Sequence, residues 1–239
     1  MTSRPLKGAA FFMGIGVDWS SIGWVFCKVE NGVAKVEVKE RFEVKESTLH
    51  LVDIPIGIPE KSFRRCDFEA KRLLSIRSST IFLVPPYRAL LASSYKEALY
   101  ISRKLAGKGF PKQLWNIRER ILEVVTYLSA HPELKGRVIE SHPELCFLSL
   151  SGRKMPSKHR REGMAERTAL LGRYVENLKD VVKENKRISK DVVDSCALSV
   201  CSNFDLECVP EDPEMGVHSI EAKICFPKVT LRPWWESRI

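Results

Sequence analysis

Apolar and polar positions change period along the chain, and the changes mark out elements. Residues 10–18, AFFMGIGVD, are an apolar run that ends in Asp18, and WSSIG after it reads as a turn. WVFCKVE (24–30) alternates loosely, and Asn31-Gly32 is a two-residue hairpin signal. VAKVEVKERFEV (33–44) alternates apolar and charged with period two, as a half-exposed strand does. A three-stranded antiparallel meander is therefore expected over 10–44. LHLVDIPIG (49–57) predicts a fourth strand, stopped by Pro55 and Gly57.

The next stretch shifts to helical spacing. RRCDFEAKRLL is a helical pattern, and SSTIFLVPP is a short apolar piece broken by Pro85 and Pro86. YRALLASSYKEALYISRKLAG predicts a helix closed by Gly107, and PKQLWNIRERILEVVTYLSAHP a second with Leu114, Ile117, Ile121, Val124, Val125 and Leu128 on one face. GRVIESHPEL (136–145) returns to a strand. The polar, basic SGRKMPSKHRREGM is a loop, AERTALLGRYVENLKDVVKEN a helix, and ISKDVVDSCALSVCSNF (188–204) another, with Ser189 as its N-cap. From Pro210 the tail carries short β-like pieces such as HSIEAKICF. With no repeat and no Gly/Ser linker, the parse is one α/β domain over 1–239. It has a helical insertion at about 58–135 and a C-terminal extension at about 205–239.

Three of the predicted strands end in an acid: Asp18, Asp53 and Glu140. Parallel neighbours bring their C-terminal ends to one sheet edge, where open α/β sheets bind ligands. A fourth acid, Asp194, falls at the border of the apolar arc Val192, Val193, Cys196, Ala197, Val200, while Asp191 points further away. A partly buried aspartate needs a partner. Clustered carboxylates suit a hard divalent ion, Mg²⁺ or Mn²⁺. The competing role for each acid taken singly is capping or turn formation.

The ordered motifs GVDWSSIGWV, DIPIGIP, RRCDFEAKRLLSIRSSTIFLVP, IESHPELCF, KHRREGMAER and DVVDSCAL resemble the DUF429 family, described as predicted nucleases of the ribonuclease-H-like fold, over about residues 13–203. The resemblance implies a five-stranded mixed sheet in the order 3-2-1-4-5 flanked by helices. It also implies a metal-dependent site of Asp18, Asp53, Glu140 and Asp194. One departure stands out: ribonuclease H takes a glutamate from a helix after the third strand, and residues 44–49 are too few for one. Glu140 takes that place here, so the resolvase branch, with acids on strands 1 and 4 and the last helix, is the nearer analogy.

Charge then supplies a partner. The chain has 239 residues, 29% of them charged, and a formal net charge of +9. A basic balance favours a polyanion, nucleic acid first. Basic residues cluster at Arg64, Arg65, Lys71, Arg72, Arg77 and again at Arg153, Lys154, Lys158, His159, Arg160, Arg161. Within the family-like motifs, Arg65, Arg77, Lys158 and His159 are the phosphate-binding candidates. His142 and Glu144 beside Glu140 are secondary candidates with Asp191, and a structural hydrogen bond is the first reading for His142. Ser78 and Ser79 read as caps, and Trp234-Trp235 as packing or a homodimer contact.

No apolar run is long enough for a transmembrane helix, and the N-terminal run reads as a core strand. Seven cysteines without a C-x2-C pair read as free core thiols of a cytoplasmic protein. The expected activity is hydrolysis of DNA or RNA phosphodiester bonds. The alternatives are a non-catalytic nucleic-acid or protein-binding module of the same fold, and a phosphotransferase or ATPase-like enzyme. The last is disfavoured because WSSIG has no glycine-rich phosphate loop.

Overall fold

Alternation in the first forty residues builds the sheet on which everything else rests. The structure, a computed structural model, describes residues 14–45 and 47–228, leaving out the side chains of 76–78. Strands β1 (Ile15–Ser20), β2 (Gly23–Glu30) and β3 (Val33–Lys39) form the antiparallel meander. Asn31 and Gly32 turn it with φ of 51° and 79°, the left-handed values a two-residue hairpin needs. β1 runs on through Trp19 and Ser20, so the turn is shorter than WSSIG, and the Ser20 hydroxyl closes it by donating to the Gly23 carbonyl at 2.7 Å. β3 stops at Lys39, short of the expected residue 44.

Strands β4 (His50–Val52) and β5 (Val138–Glu140) add in parallel, giving the order β3-β2-β1-β4-β5. β4 is shorter than the expected 49–57 because Asp53 leaves the ladder ahead of Pro55. Helices α1 (Arg65–Leu74), α2 (Tyr87–Leu90), α3 (Tyr95–Ala106) and α4 (Lys112–Ala130) intervene between β4 and β5. The single helix expected over 87–107 is split, since Ser94 caps α3 by accepting from Glu97 N at 3.2 Å.

After β5 the expected strand to residue 145 gives way to α5 (Pro143–Ser151), with Pro143 in its first turn. The next expected helix divides at Gly172 into α6 (Arg161–Leu171) and α7 (Leu178–Glu184). α8 (Ser189–Cys201) follows; Ser189 is its first helical residue, and the cap position is Ile188. No helix among the described residues is long and apolar enough to cross a membrane.

The pleat sorts side chains by parity. Val17, Trp24, Phe26 and Val52 face the insertion, where Leu114, Ile121, Val124 and Leu128 of α4 cover them. Val25, Cys27 and Val29 face α6, α7 and α8, and Leu51 meets Leu198 of α8 on that same side.

The tail forms a separate hairpin, β6 (Leu206–Met215) with β7 (Glu221–Pro227), whose Ile224 and Phe226 pack with Leu74 of α1 and Leu145 of α5. Its connection lies against the segment after Asp53: a Cβ on Gly57 would sit 2.1 Å from the Glu221 carbonyl, and Val217 N donates to Ile58 O at 2.8 Å. Cys208 and Cys225 face each other across this hairpin as a disulfide, which corrects the all-thiol expectation. Cys27, Cys66, Cys146, Cys196 and Cys201 are free and buried.

His50 is 1% exposed, and burial lowers its pKa to about 4. The folded state therefore resists a proton that the unfolded chain takes up near pH 6.5. His50's neutral form contributes stability above about pH 6.5, and that contribution is lost as pH falls toward 4, on the order of 3 kcal/mol in total. Thermal melts at pH 7 and pH 4.5 are expected to show a smaller loss for His50→Gln than for the unsubstituted chain. Equal losses would assign the acid sensitivity elsewhere.

Candidate functional site

Register decides which acids meet. Val17 of β1 pairs with Val52 of β4, so Asp18 and Asp53 follow on adjacent parallel strands, and Asp53 N donates to Val17 O at 2.9 Å. Parity turns both toward α8, because Gly16 and Leu51, two residues earlier, already touch that helix. Asp194 of α8 is 1% exposed and receives an ion pair from Lys158, which arrives on the loop before α6.

These four side chains act on one another. Asp18 is 6% exposed. Burial, then the charges of Asp53 and Asp194, hold its carboxyl well above the usual range, while Lys158 draws it back. Asp53 is raised chiefly by burial and by Asp194, against the pull of His142 and Lys158. Asp191 is raised by burial and feels both Lys158 and Asp194. Burial works against the Lys158 charge, yet Asp194 and Asp18 outweigh it and raise its pKa. So Lys158 stands as the cation of a carboxylate cluster.

The loop that delivers Lys158 is fastened from below. Arg167, fully buried, donates to the carbonyls of Pro156 and of Gly163 (3.1 Å) and to Glu144 Oε1 at 2.6 Å. Glu144 thus anchors the loop. His142 accepts from Glu144 N through Nδ1 at 3.1 Å, capping α5, and its Nε2 lies 3.4 Å from Thr80 O. His142 thus makes structural hydrogen bonds and also stands in reach of the Asp53 charge.

Glu140 does not join the aspartates. It pairs in register with Val52 and shares its face, the insertion side. There both its oxygens accept from Arg64, Oε2 from Nη1 at 2.5 Å and Oε1 from Nη2 at 2.7 Å, and Ile56 N donates to it at 3.0 Å. Arg64 Nε also reaches both oxygens of Asp67, at 3.1 and 3.2 Å, and Asp67 accepts from Val84 N. Arg64 and Asp67 are 1% and 0% exposed. The signal was present in RRCD, with Arg64 and Asp67 three apart at the start of a helix.

A cleft of about 200 Å³ opens where the two networks meet, and Asp18, Asp53, Glu140, Arg64, Asp67 and His142 all line it. Arg65 is exposed at its outside and gives its backbone N–H to Glu214. His159 is exposed too, with Nδ1 3.2 Å from Lys190 Nζ. The side chains of Arg77 and Ser78, and Trp234-Trp235, lie outside the described residues.

The donor set can be tested against a divalent ion. It offers oxygen only, and burial, with the neighbouring carboxylates behind it, holds the Asp18 and Asp53 carboxyls above their usual range. Charge and donor type therefore fit a hard cation. Lys158 already fills one such place, and among the described residues no three His, Cys, Asp or Glu side chains stand close enough to share one ion. The fit accordingly centres on Asp18 and Asp53.

Lys158→Met should leave Asp194 buried and unpaired, a loss of about 1–3 kcal/mol. Thermal unfolding is expected to show a Tm several degrees lower, with Mn²⁺ raising the Tm of the variant more than that of the unsubstituted chain. A variant indifferent to Mn²⁺ would count against cation binding here.

Comparison with known proteins gives one match. A family model described as "Protein of unknown function (DUF429)" covers residues 16–215. No curated protein and no solved structure matches the chain.

Proposed function

The chain belongs to the DUF429 family, and from that premise we propose that it is a metal-dependent nuclease of the ribonuclease-H-like fold, hydrolysing phosphodiester bonds of DNA or RNA. One observation carries the reading: Asp18, Asp53 and Asp194, from two adjacent parallel strands and the last helix, converge where the strands end, beside an open cleft.

Asp18 and Asp53 would hold Mg²⁺ or Mn²⁺, with Asp194 completing the charge. Such an ion, when bound, supplies activation of water and stabilisation of the charge that develops at phosphorus. The chain's own residues do the rest. Lys158 pairs with Asp194 and sets a positive charge among the aspartates. Trp19 walls the cleft under Arg120, whose guanidinium carbon stands 4.2 Å from the ring centroid, so a cation and a flat apolar surface lie beside Asp18. Glu140 and Arg64 fix the segment after Asp53 through Ile56, which makes them positioning groups.

The test is incubation of the full chain with labelled RNA, DNA, hybrid and junction substrates in Mn²⁺, with and without EDTA. Cleavage of one class that EDTA stops is the expected result. No cleavage of any of them would overturn the reading.

A second reading rests on a different observation, that Lys158 supplies Asp194 with a positive partner from the chain itself. It makes the protein a nucleic-acid-binding module that kept the fold. Salt-sensitive binding without turnover would establish it.

A further inference from the structure

Gly16 removes the side chain from the middle of β1 so that α8 can lie on its backbone: a Cβ there would sit 1.9 Å from Ser195 O and 2.5 Å from Ser199 N. The register partner of Gly16 on β2 is Cys27. The residue after Ser195 is Cys196. This approach therefore presses two sulfurs together, and Cys27 Sγ and Cys196 Sγ stand 2.9 Å apart with both residues 0% exposed. Carbon atoms in contact rest about 3.5–4.0 Å apart, and sulfur is larger. Two unbonded thiols do not settle at this distance without cost, whereas a cystine draws them closer still.

We propose that Cys27 and Cys196 form a second disulfide, joining β2 to α8, by exchange with a low-molecular-weight disulfide such as oxidised glutathione. The thiolate of one cysteine attacks the small disulfide, breaking its S–S bond and releasing one small thiol. The other cysteine then displaces the second small thiol from the mixed disulfide, so the two protons and two electrons leave on the small molecule. The contact with Cys196, together with burial, raises the Cys27 thiol well above its ordinary pKa, and both sulfurs are closed to solvent. Exchange therefore belongs to the folding chain, and the finished bond resists reductants. Its place gives it a consequence: α8 carries Asp194 two residues before Cys196, so the bond pins that carboxylate's helix to the sheet.

The test refolds the full chain in a mixture of reduced and oxidised glutathione, denatures it, alkylates free thiols and maps the peptides. The expected result is one linked species holding the Cys27 and Cys196 peptides, two hydrogens lighter than their sum. The Cys208–Cys225 link serves as the internal standard of oxidation. In a Cys208→Ser, Cys225→Ser background, reduction in denaturant followed by refolding without oxidant should lower Tm by about 10 °C, since the two cysteines stand 169 residues apart. Cys196→Ala in that background should remove the response. Alkylation of both Cys27 and Cys196 in the refolded sample overturns the proposal, and that mapping needs no variant.

Discussion

Arg64→Met is expected to lose the native state or to retain it only at low temperature. Arg64 spans two buried carboxylates, Glu140 on β5 and Asp67 on α1, and no solvent replaces it. Burial alone works against its charge, yet Asp67 and Glu140 together hold the guanidinium protonated well beyond its ordinary range. Breaking a buried pair by removing one partner costs about 3–5 kcal/mol, and here two acids are orphaned at once. Domains of this kind have about 5–15 kcal/mol in total. Arg64→Lys should rescue little, because one ammonium cannot span both carboxylates. Neutralising the acids as well, with Asp67→Asn and Glu140→Gln, should recover part of the loss. A circular-dichroism melt checks all of these. An Arg64→Met variant melting within a few degrees of the unsubstituted protein would show that the network does not hold the insertion to the sheet.

Asp18→Asn should separate stability from activity. The carboxylate is buried, faces Asp53 and Asp194, and has its pKa raised well above the ordinary value. A group so raised opposes folding when ionised, and the opposition is relieved as pH falls through the raised pKa. An uncharged amide of the same shape removes it, while Oδ1 can still accept from Trp19 N. Tm at pH 7 is expected to rise by a few degrees, a trade-off seen where function demands strain. If the nuclease reading holds, cleavage should fall by about 10³-fold or more, the effect of losing several kcal/mol of charge stabilisation. Unchanged cleavage would remove Asp18 from the site. A lower Tm would show instead that its charge is compensated in the folded state.

Much of the frame was legible because it depends on local signals. Asn31-Gly32 announced a hairpin, the period-two run announced β3, and the adjacency of Asp18 and Asp53 followed from the resemblance's strand order. The Arg64 partner of Glu140 was not legible because it depends on register: pairing with Val52 turns Glu140 to the insertion face, from which it lines the same cleft as Asp53. α5 was hidden because PELCFLSLS is apolar all round, which periodicity cannot tell from a buried strand. The need of Asp194 for a partner was legible, but Lys158 as that partner was not, since it sits thirty-six residues away on a loop. The Cys208–Cys225 bond needed the bulged register of β6 against β7, which seventeen residues of spacing do not reveal.

The hairpin at the end of the described chain sets a practical boundary for shortening the protein. Among the described residues β7 is the only strand partner that β6 has, and the connection between them braces the segment that leaves Asp53. A chain trimmed at Met215 would keep every acid of the cluster and still lose the buttress beneath one of them. It would also expose Cys208 as an unmatched thiol and uncover Leu74 and Leu145. Such a fragment would be sticky and poorly behaved for reasons unrelated to chemistry, and its silence in an assay would say nothing of the intact molecule.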